Sequence, residues 1–333
     1  MTKNFIKFFS AVGVFSLILI SGCGSKKEDS SSRTSSSGNK KLSIAVIPKG
    51  VTHSFWKTLH SGANKAAKEL HVEIVWQGPE KEDDRHLQIE VVQEFISKGV
   101  DGILLAPLDN RSLAAPVKAA VKRDIPVVIM DSELHSPDFS SFVATDNFEG
   151  GKLCAKRLSE LLGGKGRVIL LRYVEGSAST AKREEGFLSG MKEYAPEVEL
   201  ISTNKYAGAT IENASKVSQD LLNRFREVDG VFASNESATQ GMLKALQSSM
   251  RVGKVKFVGF DSNPTLIDAL KKGQINGLAV QDPFKMGYLG VKTLVAVIKG
   301  EKFEKRVDTG VLLVTQENIN EQEINELLNP KLE

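Results

Sequence analysis

Asp124-Ile125-Pro126-Val127-Val128-Ile129-Met130-Asp131-Ser132 closes a helix-period segment, turns at a proline, and runs through four apolar residues into a polar pair. The residue before a proline is pushed out of the α region, so this dipeptide parts a helix from a strand. The same alternation fills the chain from Lys41 onward. Strand-like stretches fall at 42–47, 72–76, 102–106, 126–130, 141–144, 167–172, 198–203, 229–233, 255–260, 276–280 and 309–315. Helical periodicity predicts helices near 54–70, 83–98, 111–123, 147–162, 180–194, 210–226, 237–249, 264–272, 284–299 and 317–328. Strands alternating with helices of this length mean βαβ units and parallel sheets, with right-handed crossovers placing helices on both faces. Gly99, Gly273 and Gly300 follow helical segments as left-handed caps would. Ser262-Asn263-Pro264 reads as a helix start.

Eleven such stretches are many for one doubly wound sheet and natural for two. A boundary near Thr145-Asp146 splits the chain into comparable halves. The material at 282–315 exceeds what the second half needs, so the chain is expected to cross between two lobes more than once.

Several strands stop at residues able to hold a small molecule. Ile44–Ile47 opens into Pro48-Lys49-Gly50 and then His53-Ser54-Phe55-Trp56. Others end at Asp131-Ser132, at Arg172 with Arg183 beyond, at Ser234-Asn235-Glu236, at Asp261, and at Gln281-Asp282. Ligands of open α/β sheets bind at the carboxyl ends of strands. The pattern points to a polar, neutral ligand held by convergent loops, with no catalytic residue among them. Phe55 and Trp56 are neighbours at a helix start and lie about 100° apart around the axis. One can be buried while the other flanks a cleft. Asp131 and Asp261 can accept bonds from adjacent hydroxyls. Arg183 offers a fork of donors, and Asn235 and Gln281 each supply both a donor and an acceptor. The bland alternatives are an Asx turn at each Asp, a surface Arg–Glu pair at Arg183, and turn roles for Asn235 and Gln281.

With 41% hydrophobic and 26% charged residues, the composition is that of a soluble globular protein. Residues 1–7 carry Lys3 and Lys7, 8–20 is apolar, and Ile20-Ser21-Gly22-Cys23 closes the segment. This is a secretory signal, shorter than a membrane span. The formal charge of +3 includes those two lysines, so the chain from Cys23 carries +1, too little for a nucleic-acid footprint. The small residues before Cys23 resemble a lipobox, which implies lipidation of that thiol. Residues 24–40, rich in Ser and Lys, read as a flexible tether. Cys154 is then the one remaining thiol and reads as a small core residue.

Enzymatic signatures are missing. Gly163-Gly164-Lys165-Gly166 precedes a strand, whereas a phosphate loop follows one. No two histidines stand four apart, no metal site is expected, and no G-x-S-x-G elbow occurs. The charged run Glu80-Lys81-Glu82-Asp83-Asp84-Arg85 is expected to cap a helix in solvent.

Taken in order, seven stretches resemble the ribose-type periplasmic sugar-binding proteins of ABC importers. They are Ser54-Phe55-Trp56; Pro126 to Asp131; Ala144-Thr145-Asp146-Asn147 with Gly150-Gly151; Arg183-Glu184-Glu185-Gly186-Phe187; Val231-Phe232-Ala233-Ser234-Asn235-Glu236; Val258-Gly259-Phe260-Asp261; and Ala279-Val280-Gln281. The likeness runs from Lys41 to about Gln316. It implies two doubly wound α/β lobes, 41–145 with 282–309 and 146–281 with 310–333, joined by three crossings. A sugar would bind between them as the hinge closes.

On that resemblance His53, Phe55, Trp56, Asp131, Ser132, Arg183, Asn235, Asp261 and Gln281 contact the ligand. His53 stands where the ribose-type proteins carry Asn, and Ser132 where they carry Arg. Ala209, with Tyr206 close by, stands near a second-lobe aromatic. These departures remove a fixed cation and a stacking face, so a monosaccharide or related polyol is expected rather than ribose itself. His53 and Ser132 are then the residues that encode the choice.

The implied protein is a monomeric, lipid-anchored binding component without enzymatic activity or cofactor. It would sit in the periplasm or on the outer face of the membrane and deliver sugar to an ABC permease. The alternative is a sensor presenting a sugar or furanosyl signal to a chemoreceptor or kinase. A sugar-modifying enzyme is a third reading, and a leader stands where a repressor would carry its DNA-binding domain.

Overall fold

The computed structural model describes residues 41–330. The signal, Cys23 and the tether lie outside the described residues. The described residues form twelve strands in two sheets of six.

The first sheet contains β1 (Ser43–Ile47), β2 (Glu73–Trp76), β3 (Gly102–Leu105), β4 (Val127–Met130), β5 (Ser141–Ala144) and β11 (Arg306–Asp308), in the order β2-β1-β3-β4-β5-β11. All its pairings are parallel. The second contains β6 (Lys165–Arg172), β7 (Glu197–Tyr206), β8 (Gly230–Ala233), β9 (Lys256–Phe260), β10 (Gly277–Gln281) and β12 (Val311–Val314), in the order β7-β6-β8-β9-β10-β12. Only β12 runs antiparallel, against β10. The helices are α1 (Ser54–Leu70), α2 (Arg85–Lys98), α3 (Ala114–Val121), α4 (Asn147–Leu162), α5 (Ala178–Tyr194), α6 (Ile211–Arg224), α7 (Glu236–Ser248), α8 (Pro264–Lys271), α9 (Pro283–Lys299) and α10 (Gln322–Leu328).

The first five strands of each sheet therefore share one winding, the doubly wound order with its ligand crevice at the strands' carboxyl ends. Each sheet buries apolar residues on both faces, in two clusters per lobe. The chain passes between sheets after β5, after β10, and between β11 and β12. On its return α9 packs on α1 through glycines. A Cβ at Gly62 would meet Phe284 O at 1.9 Å, and one at Gly287 would meet Leu59 O at 2.1 Å.

Strand β11 was not expected. Its Arg-Val-Asp sequence has no apolar run, and it exists because it pairs with β5. Cys154 is fully buried, as a core residue should be. Among the described residues no helix is long and apolar enough to cross a membrane.

Candidate functional site

Asp131 and Asp261 end equivalent strands, β4 in one lobe and β9 in the other. Both sit in the left-handed region, at φ 60° and 68°. Each backbone N–H still reaches the neighbouring strand, at Val143 O (3.0 Å) and Ala279 O (2.8 Å). The chain thus turns sharply at the last ladder bond and aims each carboxylate over the sheet edge. Asp tolerates this conformation better than most residues, and such strain gathers at functional sites.

The two edges face one another across a nearly closed cleft. Its cavity of about 30 Å³ is lined by His53, Phe55, Trp56, Asp131, Arg183, Asn235, Asp261 and Gln281, together with Lys49, Glu82, Tyr173, Ser179, Thr180 and Glu236. That volume holds about two waters, so a sugar would require the side chains or lobes to shift apart. A larger groove of about 390 Å³, bordered by Ser54, Asn263 and Leu328, shares Phe55, Asp261 and Gln281 with the cleft but lacks Lys49, Glu82, Asp131 and Arg183. The small cleft is the candidate site on chemistry rather than size.

On the second-lobe side the groups are anchored within their own lobe. The guanidinium of Arg183 lies 3.9 Å above the Phe260 ring. It donates to Asn147 Oδ1 (2.8 Å) and Ser234 O (3.0 Å), and it stands 3.6 Å from Asp261 Oδ2. Its residue is 2% exposed, which rules out the surface-pair reading. Asp261 Oδ1 accepts from Gln281 Nε2 (2.7 Å), and Oδ2 accepts from Glu236 N (3.0 Å). Asn235 Oδ1 caps α7 by accepting from Ala238 N. Burial pushes the Asp261 and Glu236 carboxyls up from their ordinary range, against the pull of Arg183 on the first and of Asn263 and His53 on the second.

On the first-lobe side the groups pair with one another. Lys49 Nζ stands 2.7 Å from Asp131 Oδ2. This is an ion pair without hydrogen-bond geometry, and Oδ2 keeps no hydrogen-bond partner. Lys49 thus supplies the cation whose loss the sequence suggested at Ser132. His53 Nδ1 lies 2.5 Å from Glu82 Oε1. Phe55 and Trp56 pack edge-to-face at 4.9 Å, and both are buried at the cavity wall rather than divided between core and cleft.

Helix N-termini are completed across the cleft. Neither His53 at the head of α1 nor Ser177 at the head of α5 makes a side-chain cap. Glu236 accepts from Ser54 N (3.4 Å) and Phe55 N (3.2 Å), while Ser132 Oγ accepts from Ser179 N (3.1 Å). Each lobe therefore caps a helix of the other, satisfying N–H groups that the helix's own first residues leave without a side-chain partner.

Two expectations change. Ser132 does not line the cavity, because its hydroxyl is spent on α5. Glu82, expected in solvent, is buried while Glu80, Lys81, Asp83, Asp84 and Arg85 are exposed. The helix cap in that run is Asp84, which accepts from Leu87 N. Tyr206 lies exposed beside Arg172, and Tyr173 is the second-lobe aromatic that reaches the cleft. Lys49, Glu82, Tyr173, Ser179, Thr180 and Glu236 were not among the candidates. For Lys49 and Glu236 the signal was adjacency to strand ends already singled out.

Gln281 Oε1 is likewise buried without a partner. Its amide orientation is set by the bond from Nε2 to Asp261. Both acceptors border the same cavity: Asp131 Oδ2 has the Lys49 cation but no hydrogen bond, and Gln281 Oε1 has neither, a deficit of about 1–3 kcal/mol.

Among known proteins, the periplasmic binding protein domain family matches residues 44–302. The ribose import binding protein of Bacillus subtilis is 27% identical over 312 residues, spanning 93% of this chain and 99% of the relative. A carbohydrate transporter solute binding protein from Agrobacterium radiobacter, solved with D-arabinose, superposes with a TM-score of 0.84 at 35% identity, covering 87% of this chain and 99% of that one. An ABC transporter solute binding protein from Agrobacterium vitis with bound D-fucose gives 0.83 at 34% identity, covering 86% and 100%.

Proposed function

This chain belongs to the periplasmic binding protein family, within its ribose-type sugar-binding branch, and we propose that it is the substrate-binding component of an ABC importer for a neutral monosaccharide or related polyol. It is a binding protein rather than an enzyme. The observation that carries the choice of ligand is the pair of buried acceptors, Asp131 Oδ2 and Gln281 Oε1, facing one cavity from opposite lobes. Hydroxyl donors would give each of them a hydrogen-bond partner.

Charge balance supports neutrality. Lys49, His53 and Arg183 already stand against Asp131, Glu82 and Asp261. Glu236 meets the N-terminus of α1, the positive end of its dipole. A ligand with net charge would enter with no free counter-charge. Phe55 and Trp56 offer apolar faces to the C–H side of a sugar ring.

In this reading His53, Phe55, Trp56, Asp131, Arg183, Asn235, Asp261 and Gln281 contact the sugar, and Ser132 assists closure. The lobes, 41–145 with 282–309 and 146–281 with 310–333, hinge at the three crossings. Ligand favours the closed state because that state alone meets it from both sides. Cys23 carries the lipid that holds the protein at the cell envelope, and the closed form docks on a permease. A thermal-shift panel of neutral pentoses, hexoses, inositols and furanosyl compounds, read with Trp56 fluorescence, tests the assignment. At least one neutral member should raise the Tm and change the emission. Indifference to all of them contradicts it.

A further inference from the structure

Glu82 is one carboxylate serving three donors from two segments, one in each lobe. Oε1 accepts from Trp56 Nε1 at 2.7 Å and lies 2.5 Å from His53 Nδ1, while Oε2 accepts from Tyr173 OH at 2.8 Å. The loop after β1 makes room for it. A Cβ at Gly50 would stand 2.7 Å from the Glu82 Cγ. Within its charged stretch only this side chain turns inward.

We propose that Glu82 is the positioning residue of the binding cleft: it fixes Trp56 and His53 as one wall, holds His53 as a donor, and receives Tyr173 on closure. The inference rests on the cleft being the sugar site and names what that wall demands of the sugar. Trp56 is anchored at its ring nitrogen, so its face cannot swing. His53 spends Nδ1 on Glu82, which leaves Nε2 as its free ring nitrogen. A protonated Nε2 donates, and the ligand must then offer an acceptor there, such as a ring oxygen. A bare Nε2 would demand a hydroxyl donor instead.

The groups around the pair support the protonated form. Burial opposes the His53 cation, but Glu82 in the loop before α2, then Glu236 at the head of α7 and Asp261 at the end of β9, carry its pKa up to about 9. Burial likewise opposes the Glu82 charge, yet His53, Trp56 and Lys49 after β1 hold its pKa at about 2. Tyr173, at the end of β6, stays a phenol because burial and the Glu82 charge push its pKa well up.

The test is an imidazole NMR titration of His53 without ligand, assigned by its loss in His53→Gln. In the unaltered protein the midpoint should lie near pH 9, and in Glu82→Gln it should fall by about 2 units, toward the ordinary histidine value. A midpoint near 6.5 in the unaltered protein overturns the inference whether or not the variant folds, as does a midpoint that Glu82→Gln leaves in place. D-arabinose then serves as the binding probe. Its Kd should stay level from about pH 6 to 8 in the unaltered protein and weaken about tenfold over that span in Glu82→Gln, following the lost imidazole charge. A level profile in the variant counts against the inference. Tyr173→Phe should weaken D-arabinose about tenfold, the weight of one bond to a charged acceptor, without moving the His53 midpoint. Undiminished affinity would refute the cross-lobe part. If neither D-arabinose nor any other neutral sugar binds, the proposed function fails while the imidazole titration still decides the role of Glu82.

Discussion

On the second-lobe side of the cleft, Arg183, Asp261 and Gln281 hold one another and their own backbone. On the first-lobe side, Lys49, His53, Glu82 and Asp131 hold one another in pairs and lean across, to Ser179 and Tyr173. One wall is therefore held within its own lobe, and the other leans on the opposite lobe. The difference follows from the supporting elements. Asp261 and Gln281 stand at the ends of interior strands, where the ladder fixes the chain, whereas in the first wall Asp131 alone does so and Lys49, His53 and Glu82 sit in loops. If the lobes hinge as proposed, the first wall would change on opening while the second would keep its bonds.

The largest test of this contrast is Arg183→Ala. It would strand a buried Asp261 and empty the space above Phe260, so urea unfolding should show a loss of about 3–5 kcal/mol without any ligand. A loss under about 1 kcal/mol would mean that the second wall is not self-supporting.

A smaller effect follows from pH on the first wall. The raised His53 pKa contributes stability in full below about 6.5, and that stability is lost as pH rises through about 9. The lowered Glu82 pKa contributes above 4.5 and is lost as pH falls toward about 2. The pair should therefore stabilise most between those limits. Thermal melts should show a decline from pH 6.5 to 9 worth at most about 3 kcal/mol, absent in Glu82→Gln. A flat wild-type profile over that span would break the pairing.

Ser132→Ala should have the smallest effect, because it removes a helix cap made only across the closed cleft. Sugar affinity should fall within about fivefold, the weight of a weak cap, with an unchanged order of preference among sugars. A changed order would mean that Ser132 reads the ligand directly.

Much of the scaffold was legible because parallel sheets leave a strong local trace. Apolar runs such as Val127 to Met130 are buried on both sides, and the polar residue that ends each run is carried to the sheet edge by geometry alone. Asp131, Asp261 and Gln281 could be located in this way. Strand β11 could not, since three polar-flanked residues become a strand only by pairing with a distant partner. Glu82 was hidden for a related reason. It is one of six consecutive charged residues, and which of them turns inward depends on Trp56, His53 and Tyr173, all remote in sequence. The role of Lys49 was masked in the same way, because a loop lysine gives no sign that a strand-end carboxylate 82 positions later will meet it.

In the proposed function a neutral sugar or polyol is clasped between the two walls. This is tested most directly by calorimetric titration of neutral sugars into the wild type and Asp131→Asn, which keeps the left-handed turn but removes the charge. At least one neutral sugar should bind one-to-one, about 10- to 100-fold more weakly in the variant, the range for a hydrogen bond to a charged group. Equal affinity in both proteins, or no binding of any neutral sugar to the wild type, would contradict it.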